Sequence, residues 1–209
     1  MADEITKTGG RAIVIETDVT DKAQAQAAVD RTVAELGRLD ILINDAGLML
    51  PGPIAIAPLE EWDQMVHLNL LGVFYVAHAA LPHLIKAAED DPRHVADMVN
   101  VSSTSGRVAH GGTAVYGATK FGVTAFSESL RQEITQRHVR VAVIEPGIVA
   151  TELLTHVREQ VHQQVVQRAS GFELLTAEDI ADSIQYIVTR PRRVAINVLL
   201  VRPGQTHQI

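Results

Sequence analysis

Cysteine is absent from the 209 residues, and with it go disulfides, thiolate zinc sites and a cysteine nucleophile; a reducing compartment is permitted, and cytoplasm is the plain expectation. Basic runs are scarce as well. The longest uninterrupted one is Arg192-Arg193, and with a net charge of -7 and a sequence pI near 5.7 the chain lacks the footprint of a nucleic-acid binder or of a protein lying on an anionic membrane. The amino terminus, Met1-Ala-Asp-Glu-Ile-Thr-Lys-Thr-Gly-Gly10, has neither the apolar core of a signal peptide nor the ~18 apolar residues of a membrane span. Repeats, low-complexity tracts and Ser/Gly/Pro linkers are also missing, so residues 1–209 are expected to form one domain. The nine histidines never pair at the i, i+4 spacing of a helical zinc site, and His156 and His162 are six apart, so no metal site is expected.

What is present is an alternation. With 46% hydrophobic and 21% charged residues the chain can bury a core. Residues 12–19 (AIVIETDV) read as a strand, and residues 21–36 repeat Ala25, Val29, Val33 and Leu36 at helical spacing before Gly37. Further apolar runs at 40–44 (DILIN), 95–101 (VADMVNV) and 139–144 (VRVAVI) each end at a polar or glycine-containing turn, and a last strand is expected at 196–201. Between them, residues 59–88 read as helix in two pieces and 114–137 as another, while 87–94 (AAEDDPRH) has the composition of a solvated loop. Gly9-Gly10 ends a helix begun upstream. Thr176-Ala-Glu-Asp179 has capping-box spacing and opens a helix with Ile180, Ile184, Ile187 and Val188 on one face. Such alternation predicts an α/β fold, a parallel sheet with helices on both faces. Ligands of these sheets sit beyond the carboxyl ends of the strands. Those ends hold Asp18, residues 44–47, Ser102-Ser103 and Pro146-Gly147.

Tyr116 and Lys120 are four apart on an expected helix and so share one face. A tyrosine hydroxyl titrates near 10 and exchanges protons poorly at neutral pH, but an adjacent ammonium favours the phenolate and lowers that value. Lys120 is placed to supply the charge. Ser103, thirteen residues before Tyr116 at a strand end, is placed to hydrogen-bond the same substrate oxygen. The trio suits interconversion of a carbonyl and an alcohol.

The segment Val115-Tyr116-Gly-Ala-Thr-Lys120-Phe-Gly-Val123, preceded by Asn100-Val-Ser-Ser103, resembles the short-chain dehydrogenase/reductase family. Asp18-Val19 is similar to the family's adenine-contacting pair, and Asn44-Asp45-Ala46-Gly47 to its turn beside the cofactor. Asn69 falls where the family keeps an asparagine that holds a water in the relay to the lysine, and Pro146-Gly147-Ile-Val149-Ala-Thr151 resembles the loop that meets the nicotinamide carboxamide. The resemblance implies a Rossmann-like doubly wound parallel sheet and hydride transfer between NAD(P)H and a small-molecule carbonyl. Tyr116 would be the general acid in reduction and the general base in oxidation; Lys120 would also bind the nicotinamide ribose. It further implies a homo-oligomer, tetramer or dimer, through the helices bearing Asn69 and Tyr116, with the last strand in a second contact. Residues 197–205 (NVLLVRPGQ) resemble a subgroup of 3-hydroxy acid dehydrogenases and clavulaldehyde-type reductases, which tilts the cofactor expectation from NAD towards NADP.

Two departures stand out. Asp45 replaces the family's usual asparagine and is expected to cap the following turn; facing inward, it would need donors. The family's first βαβ unit, strands 1 and 2 with a Thr-Gly-x-x-x-Gly-x-Gly turn that holds the pyrophosphate, has no counterpart in this sequence. In the order 3-2-1-4-5-6-7, residues 12–19 then correspond to strand 3 and 40–44 to strand 4. The expectation is therefore an N-terminally truncated member, whose alternative is an inactive fragment or pseudoenzyme unable to bind the dinucleotide. Residues 152–175 are where relatives place a lid, and Leu48, Met49, Thr104 and Val108 are expected in the substrate pocket.

Overall fold

The computed structural model describes residues 2–90, 92–151, 153 and 173–205. Its sheet has four parallel strands in the order β1 (Ile41–Asn44), β2 (Ala96–Val101), β3 (Val139–Pro146) and β4 (Val198–Val201). Each begins and ends within two residues of an apolar run in the sequence. Helices cover both faces. On one side α2 (Lys22–Leu36), α4 (Val73–Asp90) and α5 (Ala114–Ile134) pack Val29, Ala80, Leu84, Leu130 and Ile134 with Met98 and Val141. On the other, α6 (Ala177–Val188) sets Ile180 and Ile187 against Val99, Ala142 and Ile144. Neighbours such as Met98 and Val99 feed opposite cores because successive side chains of a strand point to opposite faces. This is the doubly wound, Rossmann-like arrangement that the alternation implies.

Local chemistry sets the helix ends. Asp21 caps α2 by accepting from the backbone of Ala23 and Gln24, and Gly37, at a φ of 95°, closes it by donating to the Val33 carbonyl. Thr176 and Asp179 form the reciprocal capping box of α6. A short helix α1 (Ala2–Lys7) ends before Gly9, whose φ is 86°.

Three expectations need correction. Residues 12–19 join no ladder, and among the described residues β1 is a sheet edge. A β-branched run favours extended chain, but a strand exists only where a neighbour takes up its hydrogen bonds; the family order would put two strands between this run and β1, and Val14 stands 74% exposed. Residues 59–90 form one continuous helical run instead of two helices: α3 (Leu59–Val66), a π-helical turn at His67–Gly72, then α4. The expected loop at 87–94 is helical as far as Asp90, because Ala87 and Ala88 are small enough to bury against the sheet. By length and composition alone this run is apolar enough to cross a membrane; here Ala77, Ala80 and Leu84 pack it onto β2 and β3. Gly122 of α5 faces the π-helical turn, where a Cβ would lie 2.9 Å from Leu70 Cδ1, so its small size serves packing within the chain.

Candidate active site

β2 ends by delivering Ser103 to the start of α5. The Ser103 side chain lies beside Tyr116 and acts on its hydroxyl, and Ser103 Oγ accepts from the Ser105 backbone at 3.1 Å. One turn further along α5, Lys120 Nζ donates to the Val101 carbonyl at 2.8 Å and lies 5.8 Å from the Tyr116 ring centroid. Both side chains are buried. Burial raises the Tyr116 pKa above its ordinary value, and the Ser103 side chain opposes that shift. The net shift is upward, opposite in direction to what the charge of Lys120 alone would produce, because desolvation dominates. Burial also depresses Lys120 to about 8, against the opposing charge of Asp45. Asp45 itself is exposed and needs no buried donor; its effect is electrostatic, and among the described residues no capping bond from it is present.

Asn69 sits in the π-helical turn, fully buried. Its Oδ1 accepts from Leu48 N at 2.7 Å, and its Nδ2 donates to Leu48 O at 2.8 Å and Thr119 Oγ1 at 3.3 Å. It therefore pins the loop after β1 onto α5. Gly47 lies between this asparagine and the lysine, since a Cβ there would be 3.5 Å from Asn69 Oδ1 and 3.7 Å from Lys120 Nζ. Ser103, Tyr116, Lys120, Asn69 and Gly47 are thus brought together.

The remaining site residues are anchored around them. A cleft at the end of β1 is lined by Val19, Asn44, Ala46, Leu68 and Gly72. Asp18 turns its carboxylate onto Thr20, accepting from Thr20 N at 2.9 Å and Oγ1 at 2.7 Å. Pro146 closes β3, and Gly147 N donates to Val201 O at 2.8 Å. Val149 bridges to Leu175, and Thr151 N donates to Val149 O at 3.0 Å. The expected lid lies outside the described residues apart from 153 and 173–175. A depression beside Tyr116 is lined by Leu50, Ile54, Trp62, Met65 and Val115. Leu48, Met49, Thr104 and Val108 are not among the residues that line this depression.

Sequence reasoning missed several supports. Asn100 accepts from Asn44 Nδ2 and donates to Ser127 Oγ, both at 2.8 Å, joining β1, β2 and α5 through the core. Glu145, buried at the end of β3, takes Arg107 Nε at 2.8 Å and so ties the segment after Ser103 to the 146–151 loop. The available signal was a polar residue inside an apolar run, which a buried strand tolerates only with a partner.

The fold and these clustered side chains define an α/β enzyme of the dehydrogenase type. Residues 1–162 match the family model described as short chain dehydrogenase, and the chain belongs to that family. An uncharacterized oxidoreductase of Staphylococcus saprophyticus is 33% identical over 201 residues, covering 95% of this chain and 79% of its own. Serine dehydrogenase complexed with NADP+ superposes with a TM-score of 0.83 at 31% identity, covering 95% of this chain and 79% of that one. A 3-ketoacyl-(acyl-carrier-protein) reductase from Brucella melitensis complexed with NADH gives 0.82 at 25% identity, covering 98% and 83%.

Proposed function

We propose that the protein interconverts a small-molecule alcohol and its carbonyl with a nicotinamide dinucleotide, Tyr116 exchanging the proton. The convergence of Ser103, Tyr116 and buried Lys120, whose Nζ is held by the Val101 carbonyl 5.8 Å from the Tyr116 ring centroid, carries this reading. Burial holds Tyr116 in its protonated form, so it begins as a donor to a carbonyl oxygen. The Ser103 hydroxyl steadies the same oxygen as the proton leaves. Lys120 brings positive charge to the phenolate that remains, and Asn69 fixes the loop over that charge.

The residues present fit the nicotinamide end of the cofactor. Gly47 lies beside both Asn69 and Lys120, and its chain neighbours Asn44 and Ala46 line a cleft with Val19. Asp18, Val19, Asn44, Ala46, Gly47, Tyr116, Lys120, Pro146, Gly147, Val149 and Thr151 are the side chains and backbone that would hold it. When bound, the nicotinamide supplies or accepts the hydride. NADP is favoured over NAD on the C-terminal resemblance. A second reading, of a chain that binds the dinucleotide weakly, is favoured by residues 12–19, which join no strand among the described residues; a titration giving micromolar affinity for NADPH or NADH removes it.

Replacing Tyr116 by Phe should lower kcat about a thousandfold while the cofactor still binds. Wild-type turnover in that variant, with any accepted carbonyl, would end the assignment. Homo-oligomerisation is supported by Ala118, Phe121 and Ala125, exposed along one stripe of α5, and by Val198 and Leu200, exposed on β4. A monomer in sedimentation velocity refutes it. A cytoplasmic location, consistent with a chain that has no cysteine, is part of the same proposal and is checked by cell fractionation.

A further inference from the structure

Ser102 is buried beside Ser103, and its side chain serves a different purpose. Its Oγ lies 3.1 Å from the Lys120 carbonyl and 3.0 Å from Thr124 Oγ1, which in turn lies 3.1 Å from the same carbonyl. Each hydroxyl has one proton, so the two serve two of the three contacts at a time. Gly106 covers this triangle: a Cβ on it would overlap Ser102 Oγ and stand 2.9 Å from the Lys120 carbonyl oxygen. The lysine is therefore held at both ends by consecutive residues of one strand end, its side chain by the Val101 carbonyl and its main chain by Ser102.

We propose that Ser102 is a positioning residue for Lys120, fixing its main chain so that the ammonium stays against the Val101 carbonyl beside Tyr116. The inference rests on reading Tyr116 and Lys120 as the proton-transfer pair, but the geometry and its test stand without turnover. Two side chains act on Nζ: the Asp45 carboxylate from the loop after β1 and the Tyr116 ring from its own helix. Asn69, from the π-helical turn, is uncharged. Freed from Ser102, the lysine can trade burial for water. Since burial is the main cause of its depressed pKa, release moves the value up, towards that of a surface lysine.

The ε-amine titration of Lys120 can be read in the intact chain by trace labelling with acetic anhydride from pH 6 to 11, followed by peptide mass spectrometry, with Lys7, Lys22 and Lys86 as references. In Ser102→Ala the midpoint is expected to rise by roughly half a pH unit or more, while the protein still unfolds cooperatively. An unchanged midpoint in the folded variant overturns the proposal and leaves Ser102 a packing residue. Should Ser102→Ala not fold, Ser102→Cys, a weaker donor of similar shape, is expected to shift the midpoint in the same direction by less, and a wild-type midpoint there overturns it equally. Absence of turnover in the wild type would count against the proposed reaction alone, because labelling reads the lysine without substrate.

Discussion

At the scale of single residues, the site is built against its own stability. Lys120 is 5% exposed and titrates near 8 when folded, against 10.5 for a free lysine. The unfolded chain therefore binds more protons between pH 8 and 10.5, and stability rises with pH across that window. Below pH 8 the cost of the buried charge is fully present. Lys120→Met, which keeps the stem but leaves the Val101 carbonyl without its donor, is expected to gain about 2 kcal/mol near neutral pH and to lose turnover. Urea unfolding at several pH values checks this: the gap between variant and wild type should be widest below pH 8 and close as pH approaches 10.5. A variant less stable than wild type at pH 7 contradicts it. Such opposition between function and stability is ordinary at sites that need a strained or desolvated group.

At the scale of elements, buried ion pairs hold the sheet to its connections. Asp97 and Arg140 are register partners on β2 and β3, and Arg140 grips the Asp97 carboxylate at 2.7 and 2.9 Å. Its Nη1 donates to Arg190 O and Val194 O, at 3.0 and 2.7 Å, and so clamps the turn between α6 and β4. Arg140→Met leaves Asp97 a buried charge facing only the half-exposed Arg93, and should cost about 3 kcal/mol in denaturant unfolding. The double variant Asp97→Leu/Arg140→Met should recover part of that loss, since no charge is then stranded; equal losses in single and double variants refute the account. This clamp was not legible in the sequence. Asp97 and Arg140 are 43 residues apart, and only the parallel register of β2 and β3 makes them neighbours. The capping of α6 was legible, because Thr176 and Asp179 act within one turn.

At the scale of the whole molecule, the same division by distance explains what the sequence disclosed. The two central strands, β2 and β3, show as apolar runs because burial on both faces demands apolar residues along nearly their whole length. Residues 12–19 have an equally good run, yet a strand depends on a neighbour that propensity does not report. Tyr116 and Lys120 were visible from helical spacing, and Ser103 from its place at a strand end. Their supports at Asn100, Ser102, Glu145 and Ser127 were not, since each depends on which element the fold brings alongside. The π-helical turn that holds Asn69 likewise left no mark in a pattern read with a period of 3.6.

The tetrapeptide 100–103 reaches α5 through Ser127, Lys120 and Tyr116, over separations of 27, 19 and 18 residues for the first three of its contacts and thirteen for the last. By contrast, Asn44 meets Asn100 across 56 residues. Closing short loops costs less chain entropy than closing long ones, so β2, α5 and β3 form the natural folding nucleus, with β1 and β4 adding later. In kinetic refolding, conservative truncations at Val99 and Val123 should therefore slow folding, whereas truncation of Leu42 or Leu199 should mainly speed unfolding. A reversed pattern would place the nucleus elsewhere.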